Sequence, residues 1–210
     1  MINLDISFLA YHKIADIAED FLRENDANTI PVPIEEIIDV DYGIDIIPTP
    51  GLLSLSDVDG FITPDFSCIY VDQFVQEQRF FRYRFTLAHE IGHFKMHKNY
   101  LDKYPINSID GWKKFIEEID PKDYSKMEFQ GYAFGGLVLV PRKELETQFD
   151  KFLPDVMPLI EQARSNDIPR ENYLEYAKDT LANLLAPIFQ VSTDVISKRI
   201  DYDLLTTKLP

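Results

Sequence analysis

His89, Glu90 and His93 form a His-Glu-x-x-His arrangement within the run Arg84-Phe85-Thr86-Leu87-Ala88-His89-Glu90-Ile91-Gly92-His93. On a helix of 3.6 residues per turn, side chains four apart stack on one face, so the two imidazoles can present nitrogens to a single cation. Glu90 follows the first histidine directly and leans over the open coordination position, where a carboxylate can take a proton from a metal-bound water. Zinc lowers the pKa of such a water to about 7, and the neighbouring base then helps make a nucleophile for a peptide carbonyl. With only 4 histidines in the chain, chance would produce the motif in well under about one such chain in a hundred. The plain alternative is a pair of helix histidines that only satisfy hydrogen bonds.

A helix must carry this motif. The sequence predicts one that starts between Val75 and Arg79 and runs to about His97, with Phe81, Phe85, Ala88, Ile91 and Gly92 on its apolar face. Arg79, Arg82 and Arg84 form its basic approach and are expected to pair with surface carboxylates, pairs that are worth little each. His97 continues the histidine stripe, but it lies about 12 Å of helical rise beyond His89, so the two cannot share one ion. It is read as a residue that supports a ligand from behind or simply packs.

The third ligand then comes from farther along. Residues 100–125 are acidic and turn-rich, with Pro105, Gly111 and Pro121, and read as an irregular excursion holding one short helix at 112–119. From 126 to 140, Glu128, Gly131, Tyr132 and Gly135 share one helical face, with small residues where two helices would approach closely. That face brings Glu128 toward the metal helix. A carboxylate from a second helix would complete a two-histidine, one-glutamate site with a fourth position open to water, the form of a catalytic zinc site.

The first block, together with Glu128-Phe129-Gln130-Gly131-Tyr132-Ala133-Phe134-Gly135-Gly136-Leu137-Val138-Leu139-Val140-Pro141, resembles the ImmA/IrrE family of metallo-endopeptidases. Its first half is similar to the family's Arg-Phe-Thr-x-Ala-His-Glu-x-x-His. The second keeps the glutamate and the closing proline and departs from the family's Ala-Asn-x-Phe-Ala-Ala, having Gly131-Tyr132-Ala133-Phe134-Gly135-Gly136 in its place. The resemblance spans roughly residues 10–145. It implies that His89, His93 and Glu128 are ligands and Glu90 the general base of a gluzincin-like peptidase. It also implies a protein substrate, a helix-turn-helix transcriptional repressor whose cleavage derepresses mobile elements or stress genes. The expected cofactor is zinc, with manganese as the alternative. For stabilising the oxyanion, Tyr132, one turn after Glu128, is the first candidate, with Tyr100 and Tyr104 behind it; each competes with the plain role of a buried aromatic.

The rest of the chain supplies support. Phe8, Ala15, Ile17, Ala18, Phe21 and Leu22 predict an amphipathic helix over 7–24, and a proline-led short helix follows at 34–40. Residues 44–47 read as a strand closed by Pro48 and Pro50, 51–59 as a loop, and 61–62 with 68–71 as an antiparallel pair across a turn at Pro64-Asp65. That pair either offers an edge for an extended substrate or only backs the core. Beyond Pro141 a helix at 144–152 is expected to be interrupted by Pro154 and Pro158, followed by helices at 170–185 and 194–200, the last capped by Ser192 or Thr193. Residues 181–199 resemble the helix-turn-helix-like tail of family members.

Composition narrows the classes. A net charge of −15 would repel a phosphate backbone, so direct nucleic-acid binding is disfavoured. One cysteine, Cys68, excludes an internal disulfide and reads as a small buried hydrophobe. The chain opens without a basic, apolar leader, and no apolar run approaches the roughly 20 residues of a membrane span, so a soluble cytoplasmic protein is expected. The fold expected is α+β, a zincin-like minimal metallopeptidase domain over 1–152 with a small antiparallel or mixed sheet, and a helical C-terminal extension over 153–210. The function expected is a zinc endopeptidase acting on a repressor. Two alternatives stand beside it: a non-proteolytic regulator with a structural or vestigial metal site, and a general peptidase acting on short peptides.

Overall fold

The computed structural model describes residues 1–104 and 109–210, so the expected break at Pro105 lies outside the described residues. The chain forms two compact units, residues 1–28 with 33–138 and residues 29–32 with 139–210. The architecture is α+β: mostly helical, with one small mixed sheet and a helical C-terminal part.

In the first unit, α1 (Tyr11–Glu24) buries Ile14, Ala18 and Phe21 on one stripe. It begins later than the apolar spacing suggests, because Phe8 stays 70% exposed and stacks on Phe129 instead of joining the helix face. After Pro33, α2 (Ile34–Glu36) passes into a single wide π turn over Ile37–Asp41. β1 (Asp45–Thr49) then runs through Pro48, which the sheet tolerates because β1 is an edge strand. The segment expected as a loop contains α3 (Leu52–Ser56), whose Leu53 N–H is held by the Asp72 carboxylate.

β2 (Gly60–Ile62) and β3 (Cys68–Asp72) complete the sheet in the order β1-β3-β2, with β1 parallel and β2 antiparallel to the central strand. Cys68 is buried in β3 as a free thiol. Thr63 donates to the Cys68 carbonyl and Asp72 to that of Asp59, so the alternate residues Gly60 and Ile62 face away from β3. Gly60 is required there: a Cβ would lie 2.7 Å from the Tyr70 carbonyl oxygen and 2.8 Å from Thr86 Cγ2. The strand therefore runs hard against the next helices.

The sequence predicts one helix through the motif, and the structure has two. Asp72 caps α4 (Gln73–Gln78) through the Val75 N–H, the chain turns at Arg79, and α5 (Phe80–Leu101) follows. From Thr86 to His93 every residue of α5 is buried, so the helix is a core element and not an amphipathic surface one. Arg84 is buried too, whereas Arg82 makes the expected ion pair, with Asp59 at 2.5 Å. α6 (Ile109–Glu118) and α7 (Pro121–Leu139) end the unit, α7 starting a full turn earlier than its apolar face suggests. Phe134 on α7 meets Phe21 edge-on at 5.6 Å, a large aromatic contact that fixes α7 against α1.

In the second unit, α8 (Arg142–Ser165) is unbroken, contrary to the interruption expected at Pro154 and Pro158. Both prolines sit on the exposed face, where the carbonyls they leave unbonded can meet water, while Phe149, Val156 and Ile160 bury the opposite face on either side. α9 (Arg170–Phe189) likewise continues past Leu185, and Ser192 caps α10 (Thr193–Tyr202). Buried Arg199 donates to the Val140 carbonyl and pairs with Asp203, tying α10 to the start of this unit. Among the described residues, no helix is long and apolar enough to cross a membrane.

Candidate metal centre

α5 and α7 bring four of the expected site residues to the floor of one cleft. His89 Nε2 and His93 Nε2 lie 2.9 Å apart, as the four-residue spacing requires. The Glu128 carboxylate reaches them from α7, with Oε2 3.6 Å from His89 Nε2 and Oε1 3.6 Å from His93 Nε2. Donor atoms around a tetrahedral zinc, with bonds of about 2.0–2.2 Å, sit about 3.4 Å apart. The imidazole–carboxylate distances match that spacing, and the nitrogen pair is a little tighter.

Glycine makes this convergence feasible. A Cβ on Gly131 would lie 2.8 Å from His89 Cε1 and 3.2 Å from His93 Nε2, inside the space the two histidine rings occupy. Sequence reasoning placed a small residue here to let two helices approach; its closer duty is to leave room for the two histidines.

Glu90 takes a different position. Its Oε2 accepts the N–H of Ile62 at 2.8 Å, and its Oε1 stands 3.9 Å from His89 Nε2, farther than either oxygen of Glu128 is from its ring. His89, Glu90 and His93 are close enough together to hold a cation; the Ile62 bond draws Glu90 toward the strand edge, while the Glu128 carboxylate stands closer to the rings.

Burial governs the charges. Desolvation pushes Glu90 well above the usual carboxylate range, the nearby Glu128 charge adds to it, and the Ile62 N–H opposes it. Desolvation alone raises Glu128 to about 7. It lowers His89 to about 4, with help from His97, and holds His93 well below its usual value, with further help from both other histidines. The imidazoles are thus neutral ligand-type bases beside two carboxyls that hold protons more tightly than usual, a donor set suited to a divalent cation.

The cleft above this floor has a volume of about 250 Å³. Its walls include Phe61, Trp112, Phe115 and Met127, the first two stacked at 4.9 Å. Tyr132 is 57% exposed at the rim, its ring 4.6 Å from that of His89 and stacked at 5.8 Å on Phe85. Burial and the nearby carboxylates raise its phenol. Tyr104 meets the Phe115 ring at a tilt, with centroids 5.0 Å apart, and neither it nor Tyr100 lines the cleft. Tyr124 does, and sequence reasoning passed over it. Burial, then Glu128, raises its phenol to about 12. Its signal was available: Tyr124, Glu128 and Tyr132 follow at intervals of four and share one face of α7.

His97 is fully buried on the far side of His93, with Nδ1 2.9 Å from His93 Nδ1 and Nε2 2.8 Å from Gln130 Oε1. It does not reach the cleft, and Gln130 is a second residue the sequence did not single out.

Against this geometry, the family model Peptidase_M78, described as the IrrE N-terminal-like domain, matches residues 41–201. The chain belongs to this peptidase family. Membership gives the protein a metallopeptidase-type function and a protein substrate, and the His89, Glu90 and His93 cluster is where its metal would be expected. The match includes every cleft residue named above and extends through α8 and α9 into α10, so the IrrE N-terminal-like domain takes in most of the helical C-terminal part. No match to the chain was found among curated proteins.

Proposed function

We propose that this protein is a zinc-dependent endopeptidase that cuts a helix-turn-helix transcriptional repressor in the cytoplasm. The observation that carries the chemistry is the meeting of His89 Nε2, His93 Nε2 and the Glu128 carboxylate at ligand spacing, with Glu90 alongside and not among them. The repressor substrate rests on the resemblance to the ImmA/IrrE family. His89, His93 and Glu128 would hold the zinc ion, which when bound would supply a water of lowered pKa and polarise the scissile carbonyl.

The remaining work belongs to the chain. Glu90, with its raised pKa, takes a proton from the attacking water, keeps it through the step and hands it to the leaving amine. The Ile62 N–H fixes which of its oxygens is free to do so. The outward edge of β2 offers Gly60 and the Ile62 carbonyl to an extended peptide, which would lie antiparallel along the strand with its carbonyl over the cleft. Tyr132, held protonated by its raised pKa, donates to the carbonyl oxygen as it gains charge, and Tyr124 is placed to assist from the same helix face.

Incubation of the zinc-loaded protein with a helix-turn-helix repressor encoded beside its gene tests this. One internal cut, abolished in Glu90→Gln, is the expected result. Tight binding without a cut would make the protein a regulator that holds its partner, and turnover of unstructured peptides regardless of fold would make it a general peptidase.

A further inference from the structure

A histidine can hold a cation only through a bare ring nitrogen, and a neutral imidazole has one bare nitrogen and one N–H. For His93, hydrogen bonds on the far side of the ring decide which is which. The Ser7 carbonyl can only accept, and Gln130 Nε2 lies 2.8 Å from it, so the amide turns its NH₂ group that way. Gln130 Oε1 then faces His97 Nε2 at 2.8 Å and needs a donor, which places the His97 proton on Nε2. His97 is wholly buried, and an uncharged imidazole with its one proton on Nε2 has a bare Nδ1. That nitrogen is 2.9 Å from His93 Nδ1, which must therefore carry the N–H. His93 Nε2 is left with its lone pair, facing His89 Nε2 and Glu128.

We propose that His97 and Gln130 are positioning residues whose directed hydrogen-bond relay, anchored on the Ser7 carbonyl, fixes the tautomer of His93 and aims its Nε2 lone pair into the metal centre. The anchor is itself held. Asp123 accepts the N–H groups of Leu4, Asp5 and Ile6, and Lys126 donates to the Ile6 carbonyl. Asp123, Lys126 and Gln130 lie on one face of α7, so a single helix grips the 4–7 segment and passes its orientation to the ligand. The control is confined to His93: among the described residues, buried His89 Nδ1 has no hydrogen-bond partner.

This inference rests on the reading of His93 as a ligand, and its test separates the two. Asn at 97 puts an acceptor oxygen where Nδ1 stands; Leu fills the volume and accepts nothing. Zinc affinity, read by competition with a chromophoric chelator, should stay within a few fold of wild type in His97→Asn and fall about 10–100-fold in His97→Leu. A residue that only packs gives the reverse order, since a buried Leu is tolerated better than a buried Asn. In the metal-free proteins, nitrogen NMR of labelled histidine should find His93 protonated at Nδ1 in wild type and His97→Asn and divided between tautomers in His97→Leu. Equal zinc affinities, or one His93 tautomer in both variants, would overturn the relay. If either variant does not fold, Gln130→Leu removes the anchor and should divide the His93 tautomers in the same way; an unchanged tautomer there overturns it equally. If wild type takes up no stoichiometric zinc, the metal reading fails, while the tautomer measurement still decides the relay.

Discussion

The Ile62 N–H donates to Glu90 Oε2 at 2.8 Å, so the carboxylate beside the first histidine is tied to the outward edge of β2. A glutamine keeps that acceptor and removes the proton-carrying capacity. Glu90→Gln should therefore fold and hold zinc as wild type does while cleavage falls by about 10²–10⁴ or more. Metal content by atomic spectroscopy and cleavage of the repressor measure the two halves, and a variant that cuts normally would remove Glu90 from the chemistry.

With Glu128 as the proposed third ligand, metal uptake should depend on pH with a definite sign. Its folded-state value of about 7 lies above the ordinary 4.5, so the metal-free protein gains stability from the protonated carboxyl at low pH and loses it as pH rises from 4.5 through 7. Without metal at pH 8, Glu128→Gln should be more stable than wild type by about 1–3 kcal/mol, the full shift being discounted for partial exposure. Below pH 4.5 the two should converge. Zinc reverses the ranking, because only wild type binds it tightly, and wild-type affinity should weaken as pH falls through 7. Chemical denaturation with and without chelator follows both effects.

The histidines act in the opposite direction. His89 and His97 are held near 4 against an unperturbed 6.5, so the neutral forms support the fold above pH 6.5 and that support is lost as pH falls toward 4. At about 1.4 kcal/mol per pKa unit, the pair should cost the metal-free protein several kcal/mol over that interval. Nitrogen NMR of labelled histidine in the metal-free protein reads each ring apart from the opposing carboxyls, and a His89 or His97 ring that titrates near 6.5 would mean that it is not held neutral.

Gly131 is the steric condition of the centre. Gly131→Val places methyl groups where the His89 and His93 rings converge. It should reduce zinc affinity at least about tenfold while costing metal-free stability about 1–3 kcal/mol. Isothermal titration and thermal unfolding in chelator distinguish the two losses, and wild-type affinity would show that the rings have other room.

The two tyrosines of the cleft can be ranked. If Tyr132 supplies the donor to the developing negative charge, Tyr132→Phe should lower kcat by about 10²–10³ with KM little changed. Tyr124→Phe, deeper on the same helix face, should lose less. The opposite order would transfer the role to the residue that sequence reasoning overlooked.

The sequence by itself determined the local part of this design. The four-residue spacing of His89 and His93 needs only helical periodicity to make their nitrogens converge, and the α+β class followed from apolar periods and turn residues over short windows. Family character was legible for the same reason, since its blocks are contiguous. What depended on distant packing was not. That α5 is buried from Thr86 to His93, that Glu90 is bound by Ile62, and that His97 is joined through Gln130 to Ser7 are contacts across the sequence, set by how β2, α5 and α7 meet. Pro154 and Pro158 show the limit from the other side: local propensity breaks a helix there, and burial of Phe149, Val156 and Ile160 on the opposite face keeps it whole. Spacing along a helix decided which groups could share an ion; only the tertiary structure decided which of their oxygens and nitrogens were left free to do so, because a hydrogen-bond partner far along the chain takes the other one.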